Sequence, residues 1–236
     1  MIGTFTLNQC PQFTKIFSEK FDFIIIDREH GLHNLESVKN LINAANSRCL
    51  KLVRCSSLDK IEIQRTLEAN PDGILIPQIS SINDAKKAVE FSFYPPIGKR
   101  GLSPYTEPFN FHHNDSVNKI KKINKELFLG LLIEGGEGIA SIDEICAKYQ
   151  KFISLIYFGL YDFSSSKGLK PSWKNPKIID AAKKIIKTCK KYNIKVGSIA
   201  RETNEIKLLK KYGFQFIVYQ NDTGILKDTI YNILNK

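Results

Sequence analysis

The 236-residue chain has no apolar run approaching the roughly 20 residues that a membrane-spanning helix requires. Its N-terminal segment, MIGTFTLNQC, has no basic stretch followed by a long apolar core, so we expect no secretory leader. The five cysteines are an odd number and contain no CxxC pair, which argues against a disulfide framework and against a zinc ribbon. These absences predict a soluble protein of the reducing cytoplasm that does not contact a membrane.

Nucleotide-binding motifs and linkers are also absent. No GxGxxG sequence follows the first apolar run, and the GGEG at residues 135–138 lacks the lysine of a phosphate-binding loop. Acidic residues are outnumbered, with 24 Asp and Glu against 35 Lys and Arg and a net charge of +11. Such an excess favours anionic partners. The lysines are nevertheless spread along helix-like segments such as KKIIKTCKKY, as on solvated helix faces, so we do not expect a nucleic-acid partner.

Eight apolar runs rich in β-branched and aromatic residues recur along the chain: GTFTL, FDFIIID, CLKLVR, DGILIP, LFLGLLIE, SLIYFG, IKVGSIA and FQFIVY. Segments with helical spacing separate them. Continuous apolar strands imply burial on both faces, and regular alternation implies parallel pairing. The sequence therefore predicts a protein of the α/β class, a (β/α)8 TIM barrel forming a single domain over residues 1–236, with an open doubly wound sheet as the alternative. The longest irregular stretch, residues 94–115, has a length typical of functional or mobile loops.

Charged side chains collect where the predicted strands end. In a barrel of this kind, the carboxyl ends of all strands open onto one face, and that face carries the chemistry. The residues at those ends are Asp27, Glu29, His30, Arg54, Pro77, Gln78, Glu134 and Asp162. A single charged strand end marks only a strand that reaches the surface. The whole group predicts a site for a metal ion and an oxyanion at one rim.

Two of these side chains, Glu134 and Asp162, are candidate metal ligands on adjacent strands. Carboxylate oxygens suit Mg²⁺ or Mn²⁺, and magnesium is typically held by one or two carboxylates, with water or substrate in the remaining positions. Arg54 places a permanent planar cation at the same rim, suited to a substrate carboxylate or to an enolate oxygen. Its alternative role is a structural ion pair with Asp27 or Glu68.

His30 is the candidate general base of this rim. It lies three residues after Asp27, close enough in sequence for the carboxylate to orient or tune the imidazole. The alternative is a structural histidine in a loop.

Several segments together resemble one known family. They are GTF, FDFIIIDREHG, VR, DGILIPQ, YPPIGKRG, IEGGEGI, FGLYDFSSSKG and VGSIA, in that order and spacing. The chain resembles the HpcH/HpaI aldolase family, which comprises metal-dependent 2-oxo acid aldolases of the phosphoenolpyruvate/pyruvate barrel superfamily. The resemblance covers nearly the whole chain, and the segments around DREHG, YPPIGKRG and YDFSSSKG are specific to the family.

The resemblance implies an activity and its requirements. Members of the family typically cleave a 4-hydroxy-2-oxo acid into pyruvate and an aldehyde, or join the two, through a pyruvate enolate. It implies a divalent cation, Mg²⁺, Mn²⁺ or Co²⁺, as the cofactor. It also implies a homo-oligomer, a trimer or a hexamer, with the last helix packed on a neighbouring copy.

The resemblance further assigns roles by position. Glu134 and Asp162 match the metal-binding carboxylates, and Arg54 matches the arginine that contacts pyruvate and stabilises its enolate. His30 matches the general base, with Asp27 as the acidic residue beside it. The remaining matches are Glu68, which would support the histidine; Arg100, which would bind substrate near the mouth; and Gly159 and Tyr161, in the backbone that would hold the substrate carboxylate.

The sequence departs from the family pattern at two strand ends. Relatives usually carry glutamine at position 132, where this chain has Leu132, and Leu160–Tyr161 replaces a proline-containing turn. These departures keep two alternatives open. One is a lyase or transferase of the same superfamily that acts on an acyl thioester or a sugar-linked substrate. The other is a binding protein that has lost turnover.

Overall fold

Eight parallel strands close into a barrel in the computed structural model, which describes residues 1–234. Strand β1 pairs with both β2 and β8, so the predicted TIM barrel is confirmed and the open sheet is excluded. Residues 235–236, which the single-domain prediction includes, lie outside the described residues. The strands are β1 Ile2–Thr6, β2 Phe23–Asp27, β3 Leu50–Arg54, β4 Gly73–Ile76, β5 Phe128–Ile133, β6 Leu155–Phe158, β7 Lys195–Ala200 and β8 Phe216–Asn221.

Helices connect successive strands and surround the barrel. Within residues 1–234 they are α1 Pro11–Ser18, α2 Leu35–Ala44, α3 Lys60–Glu68, α4 Ile82–Ser92, α5 Ser116–Glu126, α6 Gly136–Tyr149, α7 Leu160–Ser166, α8 Pro176–Lys191, α9 Thr203–Tyr212 and α10 Asp222–Leu234, with a 3-10 turn at Glu107–Phe109. None of the helices in this part of the chain combines the length and apolarity needed to cross a bilayer.

Local capping chemistry sets several helix starts. The side chain of Asn34 accepts a hydrogen bond from the backbone N–H of Ser37 and begins α2. Ser81 and Asp84 form a reciprocal capping box that begins α4. Each cap satisfies backbone donors that the first turn leaves free, and such caps typically stabilise a helix by about 1 kcal/mol.

The barrel interior is filled with apolar side chains below the rim. The rings of Phe23 and Phe216 stack there, and Leu52, Leu75 and Leu155 pack around them, all fully buried. Alternate residues of each strand point inward, so the last inward position of a strand brings its side chain to the rim. A filled interior leaves the rim as the place where a ligand can enter.

The long loop, residues 94–115, is anchored away from that rim. The loop follows α4, a helix that runs from the carboxyl ends of the strands back to their amino ends, so the loop starts at the end of the barrel opposite the rim. Glu107 in the loop forms an ion pair with Lys39 of α2, and Phe109 is fully buried with its ring edge-to-face against Tyr94 at 5.7 Å. The loop therefore covers the outer side of the barrel rather than its mouth.

Candidate active site

A cavity of about 280 Å³ opens at the carboxyl rim of the barrel. It contains most of the residues that the sequence predicts for the site. Its lining residues are Phe5, Leu7, Asp27, His30, Arg54, Leu132, Glu134, Tyr157, Gly159, Leu160, Tyr161, Asp162, Ile199 and Asn221. The volume and the mixture of apolar and charged walls suit a small organic acid.

Arg54 is fixed from three sides. Its Nε and Nη2 atoms donate to the two carboxylate oxygens of Asp27 at 2.9 and 2.6 Å, and its Nη1 forms an ion pair with Glu29 at 2.9 Å. The guanidinium also lies over the ring of Phe5, 4.7 Å from its centre. Burial opposes its charge, but the hydrogen bonds and charge of Asp27 outweigh that effect and raise the pKa of Arg54. The site therefore contains a preorganised permanent cation.

Asp27 contacts the backbone near His30 rather than its ring. Its Oδ1 accepts the backbone N–H groups of Glu29 at 3.0 Å and of His30 at 3.3 Å. The imidazole is exposed at the cavity mouth and, within the described chain, makes no hydrogen bond. The carboxylate thus orders the turn that carries His30, while its own charge pairs with Arg54. The structure thus shows the Arg54–Asp27 ion pair that was the alternative role of Arg54. Arg54 nevertheless lines the cavity.

Gln78 links two acidic groups of the site. Its backbone N–H donates to Glu134 Oε1 at 2.7 Å, and its side-chain amide donates to Glu29 Oε1 at 3.2 Å. This residue adopts the left-handed backbone region, with φ of 58°, which is uncommon for a residue with a side chain and is concentrated at functional sites. Sequence reasoning placed Gln78 at a strand end but gave it no role.

Glu134 is buried beside a second carboxylate. It is 9% exposed, and its Oε2 lies against Gly159, where an added Cβ would come within 2.7 Å of that oxygen. Burial raises its pKa to about 7, opposed by the hydrogen bond from Gln78 and reinforced by the charges of Asp162 and Glu29. Asp162 is exposed in the first turn of α7. Two repelling carboxylates in a small cavity form a site that a cation would stabilise.

These donors fit a hard divalent ion. Among residues 1–234, no group of three or more histidine, cysteine, aspartate or glutamate side chains is arranged to hold a metal. Two carboxylates are nevertheless sufficient for Mg²⁺, because water or substrate oxygens complete its coordination. Glu134 and Asp162 are therefore the residues that would hold such an ion.

The raised pKa of Glu134 predicts how the metal-free protein responds to pH. The folded protein binds the proton of Glu134 more tightly than the unfolded chain does. The contribution of Glu134 to the free energy of unfolding should therefore be greatest below pH 4.5, and should fall as the pH rises from 4.5 to about 7. The whole contribution is at most roughly 3 kcal/mol.

Urea denaturation in the presence of a chelator, at several pH values between 4.5 and 8, measures this effect. Glu134→Gln should remove the decline, and Glu137→Gln, at an exposed position of α6, should keep it. Parallel curves for the wild type and Glu134→Gln would contradict the assignment.

Glu68 and Arg100 do not join the site within one chain. The Arg100 Nη2 forms an ion pair with Glu68 at 3.2 Å, and its guanidinium lies 4.4 Å from the ring centre of Tyr94. Glu68 ends α3, and that helix runs from the rim toward the amino ends of the strands. Within the described residues of one chain, Glu68 therefore pairs with Arg100 and neither residue lines the cavity, and their expected roles toward His30 and the substrate stay predictions.

Tyr157 is a site residue that sequence reasoning missed. It faces inward from β6, in register with Leu132 on β5, and its ring meets Phe5 edge-to-face at 6.1 Å. The residue is 3% exposed yet lines the cavity. The only signal in the sequence is one phenol inside the apolar run SLIYFG, which resembles an ordinary core residue.

Comparisons with known proteins agree with the geometry. The model of the HpcH/HpaI aldolase/citrate lyase family matches residues 2–228. A hydroxypyruvate/pyruvate aldolase of Sagittula stellata is 25% identical, over 88% of this chain and 81% of that protein. A 5-keto-4-deoxy-D-glucarate aldolase of Enterobacter sp. (strain 638) is 23% identical, over 96% and 88%.

The fold is shared with a solved structure as well. An HpcH/HpaI aldolase/citrate lyase family protein of Burkholderia cenocepacia superposes with a TM-score of 0.93 at 19% identity, covering 100% of this chain and 93% of that one. Because the family model spans nearly all of the sequence, the chain belongs to the HpcH/HpaI aldolase/citrate lyase family.

Proposed function

We propose that the protein is a divalent-metal-dependent aldolase that cleaves a 4-hydroxy-2-oxo acid into pyruvate and an aldehyde, or forms the acid from them. The observation that carries this proposal is the placement of the fixed Arg54 guanidinium and the Glu134–Asp162 carboxylates around one cavity of about 280 Å³. Membership of the family and the aldolase names of the relatives support it.

Glu134 and Asp162 would hold the cation, with Mg²⁺, Mn²⁺ and Co²⁺ as candidates. When bound there, such an ion would polarise a substrate oxygen as a Lewis acid. Helix α7 follows Gly159, and its first turn contains Tyr161 and Asp162. The first turn of a helix leaves backbone N–H groups without helical partners. These N–H groups would hold the substrate carboxylate.

Arg54 would oppose the negative charge that develops on the 2-oxo acid during cleavage. Its two hydrogen bonds to Asp27 and its ion pair with Glu29 hold the guanidinium in place before substrate arrives. A donor that needs no reorganisation stabilises a transition state more than its ground state.

His30 would take the proton from the C4 hydroxyl, directly or through water. As that proton leaves, the C4 oxygen forms the aldehyde carbonyl, and the electron pair of the C3–C4 bond remains on the pyruvate fragment as an enolate. Protonation of C3 then gives pyruvate. The exposed position of His30 at the cavity mouth allows it to exchange this proton with solvent.

Enolate formation can be tested without knowing the aldehyde. Incubated with pyruvate and Mg²⁺, Mn²⁺ or Co²⁺ in deuterated water, the protein should catalyse loss of the methyl proton signal, followed by proton NMR. The rate should fall to that of the buffer when a chelator is added. Absence of exchange with all three cations would contradict the proposed function.

We also propose a homo-oligomer, a trimer or a hexamer, in the reducing cytoplasm. Helix α10 exposes apolar side chains that a second copy would cover: Leu226, Ile230, Tyr231, Ile233 and Leu234 are 45–75% exposed. Large contiguous apolar patches mark interaction surfaces. Light scattering should give three or six times the 26.9 kDa of one chain.

The five cysteines are free, which suits a reducing compartment.

A further inference from the structure

Tyr157 is a polar residue of the active-site cavity that the proposed chemistry does not use. Tyr157 reaches the cavity from β6 among the apolar side chains of Phe5 and Leu132. Its hydroxyl is completely buried and, within the described residues, has no hydrogen-bond partner. Buried hydroxyls are almost always paired, so an unpaired one in a cavity wall points to a group that arrives from outside.

The surroundings of this hydroxyl define what that group would be. Burial raises the pKa of Tyr157, and the positive charge of Arg54 acts against that rise, while the charges of Glu134 and Asp27 add to it. The phenol therefore stays neutral and serves as a hydrogen-bond donor at any working pH. Arg54, the charge with the largest influence on it, is the same group that would meet the substrate oxygen.

The ring has little freedom to turn away. Phe5 packs edge-to-face against it at 6.1 Å, and the same Phe5 ring lies beneath the Arg54 guanidinium at 4.7 Å. One aromatic side chain thus positions both donors. The packed ring keeps its hydroxyl at one place in the cavity wall, as a preorganised donor requires.

We propose that Tyr157 is a substrate-binding residue whose neutral hydroxyl donates a hydrogen bond to the 2-oxo acid oxygen that Arg54 also contacts. This inference rests on the proposed function, since it concerns the same substrate class. It adds an uncharged second donor to the charged one. The pair would stabilise negative charge on that oxygen from two directions.

Tyr157→Phe tests the proposal, because it removes the hydroxyl and keeps the ring. Exchange of the pyruvate methyl protons should slow by about 10- to 100-fold. Affinity for oxalate, a planar mimic of the pyruvate enolate, should fall about tenfold by calorimetry with the Mg²⁺-loaded protein. The melting temperature should stay equal or rise, because the variant no longer buries an unpaired hydroxyl.

Tyr94→Phe is the matched control. Tyr94 is also fully buried with an unpaired hydroxyl, but it lies beneath Arg100, away from the cavity. We expect exchange and oxalate affinity equal to those of the wild type.

The outcomes distinguish the role of Tyr157 from the proposed aldolase function. A wild-type protein that exchanges pyruvate protons, with a Tyr157→Phe variant within twofold of it in both exchange and oxalate affinity, overturns the role of Tyr157 alone. A lower melting temperature with unchanged oxalate affinity also overturns it, since the hydroxyl would then act in the fold. A wild-type protein that neither exchanges protons nor binds oxalate overturns the proposed function and this inference with it.

Discussion

Replacement of Arg54 by methionine should slow pyruvate proton exchange by about 10²- to 10³-fold, the usual effect of losing one oxyanion donor. It should also lower the free energy of unfolding by about 3–5 kcal/mol, because it leaves Asp27 as a buried charge without a partner. Asp27 is 1% exposed and makes both of its charged hydrogen bonds to Arg54. Both effects are large, and they arise from different contacts of one side chain.

The double variant Arg54→Met with Asp27→Asn separates the two effects. Asparagine keeps the Oδ1 acceptor for the backbone N–H groups of Glu29 and His30, but it removes the unpaired charge. We expect much of the lost stability to return in urea denaturation, while exchange stays slow. Recovery of exchange together with stability would show that Arg54 serves the fold only, as its alternative role requires.

Arg54→Lys is a useful intermediate. It retains the positive charge but cannot form two parallel hydrogen bonds to one carboxylate. Stability should lie between that of the wild type and that of the methionine variant. Exchange should remain well below the wild-type rate, because the ammonium group is no longer held in one orientation.

Removal of either proposed metal ligand should have the other large effect. Glu134→Gln and Asp162→Asn should each weaken Mn²⁺ binding by 100-fold or more, since roughly half of the protein's charged donors to the ion would be lost. Calorimetry or the electron paramagnetic resonance signal of free Mn²⁺ measures this directly. Proton exchange should fall in parallel.

Two controls make the result specific. Glu137→Gln removes an exposed carboxylate three residues from Glu134 and should leave Mn²⁺ affinity unchanged. In the absence of metal, Glu134→Gln should be at least as stable as the wild type above pH 7, because it no longer buries an ionised group. If both ligand variants bind Mn²⁺ as the wild type does, the ion is held elsewhere and the proposed site is wrong.

The barrel and its rim could be predicted because they depend on features that are local in the sequence. Apolar runs alternating with helical segments imply parallel strands, and parallel strands carry their final residues to a common edge. Asp27, Arg54, Glu134 and Asp162 therefore come together, as expected.

The choice of partners at the rim could not be predicted. Asp27 has Arg54 opposite it in the register of β2 and β3, and this pairing competes with the imidazole three residues along the chain. The short separation in sequence suggested His30 as the partner of Asp27. In the structure its partner is Arg54, the neighbour across the two strands. Which contact forms depends on the shape of the turn after β2.

Position in a family pattern has a similar limit. Glu68 and Arg100 match functional positions by sequence. The direction of α3 nevertheless takes Glu68 to the end of the barrel opposite the rim, where it forms an ion pair with Arg100. Tyr157 shows the opposite case, since its apolar context in the sequence gives no sign that its hydroxyl lies in the cavity wall without a hydrogen-bond partner among the described residues. Burial alone does not distinguish a core tyrosine from one that awaits a ligand.

The peptide group at residue 78 has a consequence for how this site tolerates mutation. The hydrogen bond to Glu134 comes from the main chain, so a change of side chain there leaves the donor in place unless the new residue is proline. Glycine or asparagine would enter the left-handed backbone more easily than glutamine does. Position 78 can therefore vary in sequence while the hydrogen bond that orients the Glu134 carboxylate is kept.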